Sequence, residues 1–202
     1  MYDPDVHDHN YRPIVDSAMQ QQCDMPQVTI YSDGSYKPQI NFGGYGTLME
    51  CNGHRALLYG GSQSDSNNRM EITGVWAGLR CLNRPCIVTV ISDSRYVVDA
   101  INGYIWSWVS NNWMTSQKKP VANRDLWEEM LQYIQIHRIH GVWIRGHTGH
   151  PENERCDRLA TMGAYHSASL PVPASKQLLY DLSKGKFPGS EDDDTIESYD
   201  LP

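Results

Sequence analysis

Asn52-Gly53 sits midway in the stretch GGYGTLMECNGHRALLYGG, residues 43–61. Asn-Gly tolerates the positive φ angles that a two-residue hairpin turn requires. Apolar-rich runs flank the turn on both sides, so the stretch reads as a β-hairpin. The preceding run, QVTIYSDGSY at 27–36, is rich in strand formers and is expected to stop at Asp33-Gly34, a turn dipeptide. Together these runs predict a three-stranded antiparallel meander. A sheet begun in this way needs other elements to cover its apolar faces.

The remainder of the chain supplies that cover. In SNNRMEITGVWAGLRCL, Ile72, Val75, Trp76, Leu79 and Leu82 follow helical spacing, and Ser66, Asn67 or Asn68 can cap the start. CIVTVISDS (86–94) is a continuous apolar run, as expected of a buried parallel strand. Residues 94–110 read as short helices ending in YIWSWVSNNWM, with Trp106 expected in the core. QKKPVANRD reads as a loop, DLWEEMLQYIQIH (125–137) as a helix with Trp127 in the core, and GVWIRG (141–146) as the last strand. PENERCDRLATMGAYH is the final helix, with Cys156, Leu159, Ala160 and Met162 facing inward. Strands followed by alternating strands and helices predict an α/β fold, a mixed sheet with helices on its faces.

Charge divides the chain into three parts. Residues 1–26 carry five Asp against one Arg, and 166–202 carry seven acids against three Lys. The middle, 27–165, carries thirteen basic against twelve acidic residues. This predicts a flexible acidic leader (1–26), a folded domain (27–165) and a largely disordered acidic tail (166–202), with a basic partner as one option for the tail. No window approaches 18 consecutive apolar residues, so no membrane span is expected. The start of the chain resembles neither a secretory signal nor a transit peptide. The five cysteines are odd in number and scattered, which favours reduced thiols and a cytoplasmic setting.

Four carboxylates sit at positions that matter in such a fold. Asp33 and Asp93 stand at the ends of the first and fourth strands, where open α/β sheets gather functional groups. Glu71 lies in the first turns of the helix after the meander, and Asp157 near the start of the last helix. Taken singly, each has a plain structural role as a turn former or helix-end charge. Brought together they would repel, unless hard cations such as Mg²⁺ or Mn²⁺ occupied the cluster.

Their flanking sequences remove the ambiguity. YSDGSY, NNRMEITGVWAGL, ISDSRYVVDAINGYIWSW, KKPVANRDLW and RGHTGHPENERCDRLA resemble, in order and spacing, the successive signature blocks of type 1 ribonuclease H. The resemblance spans about residues 27–165. It implies the ribonuclease H-like fold, a five-stranded mixed sheet ordered 3-2-1-4-5 and flanked by helices. It also implies an endoribonuclease that hydrolyses the RNA strand of RNA–DNA hybrids with two metal ions, leaving 5′-phosphate and 3′-hydroxyl ends. Asp33, Glu71, Asp93 and Asp157 match the family's metal-binding carboxylates, and His147 its mobile catalytic histidine. Mg²⁺ is the expected ion, Mn²⁺ a substitute, and the hybrid the expected partner of a monomeric protein.

Selectivity for RNA requires polar groups that read 2′-hydroxyls across a wide minor groove. Asn67, Gln39 and Arg95 are the candidates. For the DNA strand the candidates are Trp108 and Trp113 in the aromatic segment, with Lys118 and Lys119 in the following loop. Three departures from the family bear on affinity. Gln39 stands where an Asn is usual, Arg95 replaces a common Gln, and WSWVSNNWM lacks the usual basic cluster. Weaker hybrid affinity with a shallow salt dependence follows.

Two other readings compete. One is a catalytically weak or silent hybrid-binding module on the same fold. The other is a zinc-stabilised interaction domain using His147, His150 and Cys156, whose ligand types are suitable but which lacks a paired CxxC elsewhere.

Overall fold

Pairing begins at the expected hairpin. In the computed structural model, which describes residues 25–63 and 66–169, β2 (Phe42–Cys51) and β3 (His54–Gln63) pair antiparallel across Asn52 and Gly53. Both turn residues have positive φ, 51° and 79°. β1 (Gln27–Lys37) lies antiparallel to β2 on its other side. β4 (Ile87–Ser92) and β5 (Arg138–Trp143) then add in parallel, giving a five-stranded sheet of order β3-β2-β1-β4-β5.

Two strand boundaries differ from expectation. β1 does not stop at Asp33-Gly34 but runs on to Lys37, because its antiparallel pairing with β2 continues to Lys37↔Phe42. Only the parallel pairing with β4 ends early, at Tyr31↔Ile91. β5 begins at Arg138 and ends at Trp143, earlier than GVWIRG. Its register against β4, Ile87↔Arg138 to Ser92↔Trp143, fixes the strand immediately after the preceding helix.

Helices cover both faces. α1 (Asn67–Arg80) starts on Ser66, whose side chain accepts the Arg69 N–H. α2 (Arg95–Asp99) leads through a π-helical turn, Ala100–Tyr104, into α3 (Ile105–Ser110). α4 (Arg124–Ile136) packs near α1, and Arg69 of α1 grips Asp125 of α4 in a two-pronged ion pair at 2.5 and 3.0 Å. Ile30, Ile72, Val75, Val88, Val90, Trp127 and Met130 fill this side of the sheet without exposure. Burying a side chain of that size stabilises by about 1.5–3 kcal/mol.

α5 (Pro151–Ser169) crosses β1, β2 and β3 on the opposite face, its Cys156 and Leu159 clustering with Leu48 of β2 and Leu57 of β3. Met162 is only half-buried, while Gly163 and Ala164 face the sheet. A Cβ at Gly46 would meet the Cys156 carbonyl oxygen at 2.1 Å, so α5 sits directly on the strand backbone. That contact sets the height of Asp157, the next residue. The helix continues to Ser169, past the expected domain boundary, and the expectations for the leader and most of the tail lie outside the described residues.

The tryptophans are distributed differently from expectation. Trp127 is fully buried, but Trp106 is 48% exposed and Trp113 takes a core position instead. The wider π-helical turn at 100–104 rotates the residues that follow, turning Trp106 outward.

Candidate active site

β1 and β4 are parallel neighbours, and the point where their pairing ends places Asp33 and Asp93 side by side. Asp33 lies two residues beyond the last parallel pair, opposite Gly46 of β2, and Asp93 directly follows β4. Glu71 comes from the second turn of α1, which is drawn against β1 at Gly34. One carboxylate oxygen from each of Asp33, Glu71 and Asp93 lies within 4.8 Å of the others. Asp33 and Glu71 are only 6% and 8% exposed, so water screens them poorly.

Electrostatics follow from that geometry. Burial, then the negative charges of Asp93 and Asp157, push the Asp33 carboxyl up to about 7. Burial, then the negative charges of Asp33 and Asp93, raise Glu71 well above the ordinary carboxylate range. Glu71 Oε2 is buried without a hydrogen-bond partner. The Gly34 N–H donates to Asp33 Oδ1 at 2.7 Å, a small offset to the repulsion. A hard divalent cation fits these oxygen donors and the unsatisfied Glu71 oxygen.

Asp157 stands just outside that trio, half-buried in the second turn of α5, yet its charge reaches Asp33. His147 is exposed on the loop between β5 and α5, in the left-handed backbone region at φ 54°. Cys156 is fully buried and its thiol donates to the Tyr31 carbonyl, while His147 and His150 are exposed. Among the described residues the carboxylate trio is the one group with metal-binding spacing, so the zinc arrangement does not form.

Known proteins share this chain's pattern. The RNase H family profile matches residues 25–165. The Ribonuclease H of Sulfurovum sp. is 48% identical over 142 residues, 70% of this chain and 92% of that protein. The Ribonuclease H of Cupriavidus metallidurans is 46% identical over 139 residues, 69% of this chain and 96% of that protein. This chain belongs to the ribonuclease H family. Among solved structures, LC9-RNase H1, described as a type 1 RNase H with the type 2 active-site motif, superposes with a TM-score of 0.63 at 26% identity. That match covers 82% of this chain and 90% of the other. Ribonucleases H are metal-dependent endoribonucleases, and the carboxylate trio gives this chain the donors for such an ion.

The residues expected to contact substrate spread over two regions of this ribonuclease H. Asn67, the first residue of α1, accepts the Tyr36 N–H at 2.6 Å and so links the helix start to β1. Gln39 is exposed at the β1–β2 turn, its amide donating to the Tyr165 hydroxyl at 3.2 Å. The Arg95 guanidinium lies 3.9 Å above the Trp143 ring, whose Nε1–H donates to the Asp93 carbonyl at 2.9 Å. Lys118 and Lys119 are exposed in the loop after α3. Trp108 packs on Tyr96 and Trp127, and Trp113 is 9% exposed with Arg124 over its ring. Trp113 is thus a core residue and not the open stacking platform expected, since its own left-handed backbone turns the ring inward. The exposed aromatics of this region are Tyr104 and Trp106.

Sequence reasoning missed two neighbours of Asp93. Asn153 is 3% exposed, and its Nδ2 lies 3.4 Å from Asp93 Oδ2. Its position one helical turn before Asp157 was an available signal, because residues four apart share a helix face. Gly146 passes so close that a Cβ there would sit 2.2 Å from Asp93 Oδ2. No local pattern in the sequence marks that contact.

Proposed function

We propose that this protein cuts the RNA strand of RNA–DNA hybrids by two-metal-ion hydrolysis, leaving 5′-phosphate and 3′-hydroxyl ends. The observation that carries the reading is the buried trio Asp33, Glu71 and Asp93, with its oxygens within 4.8 Å and its protonation pushed upward. Such a cluster is costly to keep unless cations occupy it. Two Mg²⁺ ions, with Mn²⁺ as substitute, supply neutralisation of the phosphate and a more acidic water.

The chain's own residues divide the remaining work. Asp33, which Glu71, Asp93 and Asp157 all neighbour, would be the principal ligand for the ions, with Glu71 and Asp93 holding them beside it. Asp157, half-buried and set apart, binds more loosely and so permits turnover. His147, on an exposed loop, transfers a proton to the leaving 3′-oxygen or assists product release. Asn67, Gln39 and Arg95 read the RNA strand near its 2′-hydroxyls. Lys118, Lys119 and Trp108 support the DNA strand, joined by exposed Trp106. The protein acts as a cytoplasmic monomer, and no helix among the described residues is long and apolar enough to cross a membrane.

A panel of end-labelled substrates tests this reading: hybrid, duplex RNA, duplex DNA and a duplex with one embedded ribonucleotide. Cleavage confined to RNA paired with DNA, with ligatable 5′-phosphates on the products, is the expected result. Metal-independent hybrid binding without cleavage would favour the silent-module reading instead.

A further inference from the structure

At the end of β1 remote from the carboxylates, a half-open cavity of about 390 Å³ lies between the sheet and the C-terminal end of α1. Val28 lines it, five residues before Asp33 on the same strand, a separation of roughly 17 Å. The volume is in the range of small-ligand sites.

The floor is apolar. Val28, Met49, Ala56 and Leu82 contribute carbon, and three thiols join them. Cys51 ends β2, Cys81 caps α1, and Cys86 immediately precedes β4, so strand order brings these distant positions to one cavity. Burial pushes the Cys81 thiol up to about 11 and raises Cys86 as well. At neutral pH both are therefore polarisable wall atoms and not thiolate nucleophiles. Among the described residues this group lacks the close spacing of a metal site, which only the carboxylate trio has.

The rim has the opposite character. Arg84 is exposed beside the cavity and makes no ion pair among the described residues. Asn83 adds a side-chain amide next to it. Exposed His54 and Arg55 also line the cavity, the latter engaged with Glu50 at 2.5 Å. An apolar floor under a cationic, donor-rich edge selects a ligand with two unlike ends.

We propose that this cavity binds a small amphipathic anion, an apolar body ending in a carboxylate. The apolar body displaces water from the thiol-lined floor, and the carboxylate stays at the rim. There the Arg84 guanidinium offers paired donors that match carboxylate geometry, and Asn83 adds another.

The test is a titration of the isotope-labelled full chain with 2-naphthoate, following the backbone amides of Val28, Ala56, Leu82 and Asn83. The neutral amide of the same ring is the control. Saturable shifts confined to the cavity lining are expected, with affinity about tenfold weaker for the neutral control and for Arg84→Glu. Ala56→Phe, which fills the floor, removes binding, and surface Arg84→Glu keeps the test informative if that variant fails to fold. Absence of saturable shifts, or equal binding by the neutral control and by Arg84→Glu, would overturn the proposal. Shifts produced by concentrating the protein alone would assign the cavity to a second copy and overturn it equally.

Discussion

A Cβ placed on Gly34 would lie 2.3 Å from the backbone nitrogen of Glu71. The β1 backbone therefore touches the second turn of α1, and this contact brings the Asp33 and Glu71 carboxyls together. Gly34→Ala forces the helix away from the strand, since neither backbone has a flexible end to yield. The variant is expected to lose about 1–3 kcal/mol of stability, typical of overpacking. Chemical denaturation measures that loss, and reduced Mg²⁺ affinity in the folded fraction shows that the two carboxyls have separated.

The raised protonation of Asp33 makes stability depend on pH and metal together. Because the folded carboxyl titrates at about 7 and the unfolded one near 3.8, the folded state holds more protons between those values. The contribution is fully present below the lower value and is lost as pH rises through the upper one. Metal-free protein should therefore lose this contribution from about pH 4 to pH 7. Mg²⁺ should raise the melting temperature more at pH 8 than at pH 5, as ligand linkage requires. Thermal scans of wild type and Asp33→Asn, with and without Mg²⁺, measure both effects, and Asp33→Asn should flatten the metal-free slope.

His137 pulls in the other direction. It is buried between α4 and β5, and its Nδ1 accepts the Cys86 N–H at 3.2 Å, which only a neutral ring can do. Burial lowers its protonation below the ordinary histidine value of 6.5. The unfolded chain then binds the proton more readily, so this contribution is present above that value and lost as pH falls below it. His137→Leu leaves the Cys86 N–H unsatisfied at a cost of about 1–3 kcal/mol, and should reduce the acid sensitivity seen in the same scans.

Asn153 and Gly146 enclose Asp93 from the loop and helix that follow β5. Asn153→Ala removes the amide beside Asp93 Oδ2 without touching the other carboxylates. Metal affinity or turnover should fall by about 10–100-fold, the usual effect of removing a group that orients a metal ligand. Calorimetric Mg²⁺ titration of the substrate-free protein reads the affinity, and an unchanged value with unchanged turnover would remove Asn153 from the site.

Charge distribution sets the salt response. Lys118 and Lys119 are exposed, but the aromatic helix before them carries no basic cluster. Hybrid affinity measured against salt should give a log–log slope well short of the value of about −10 seen for strongly basic DNA binders.

Much of this fold was legible because its signals are local. Asn52-Gly53 fixed a hairpin, Ser66 marked a helix start, and the unbroken apolar run before Asp93 marked a buried parallel strand. The carboxylates are marked by their flanking blocks, not by spacing, since Asp93 lies 60 positions after Asp33. What escaped depended on long-range pairing or on phase. β1 outran its turn dipeptide because β2 continued to pair with it. Trp106 and Trp113 exchanged surface and core because one π-helical turn and one left-handed residue lie between the prediction and the packing. Asn153 shares a face of α5 with Asp157, which the sequence shows, but its contact with Asp93, 60 residues away, arises only in the fold.

If the Asp33, Glu71 and Asp93 cluster holds the ions that cut hybrid RNA, cleavage must depend on both added Mg²⁺ and Asp33. Single-turnover cleavage of a labelled hybrid across a Mg²⁺ titration, for wild type and Asp33→Asn side by side, tests it most directly. Wild type should cleave only when Mg²⁺ is added. Asp33→Asn should lose at least about a thousandfold in rate, roughly 4 kcal/mol, while remaining folded and still binding the hybrid. Cleavage by wild type in EDTA, or a folded Asp33→Asn enzyme cutting at near the wild-type rate, would contradict the account.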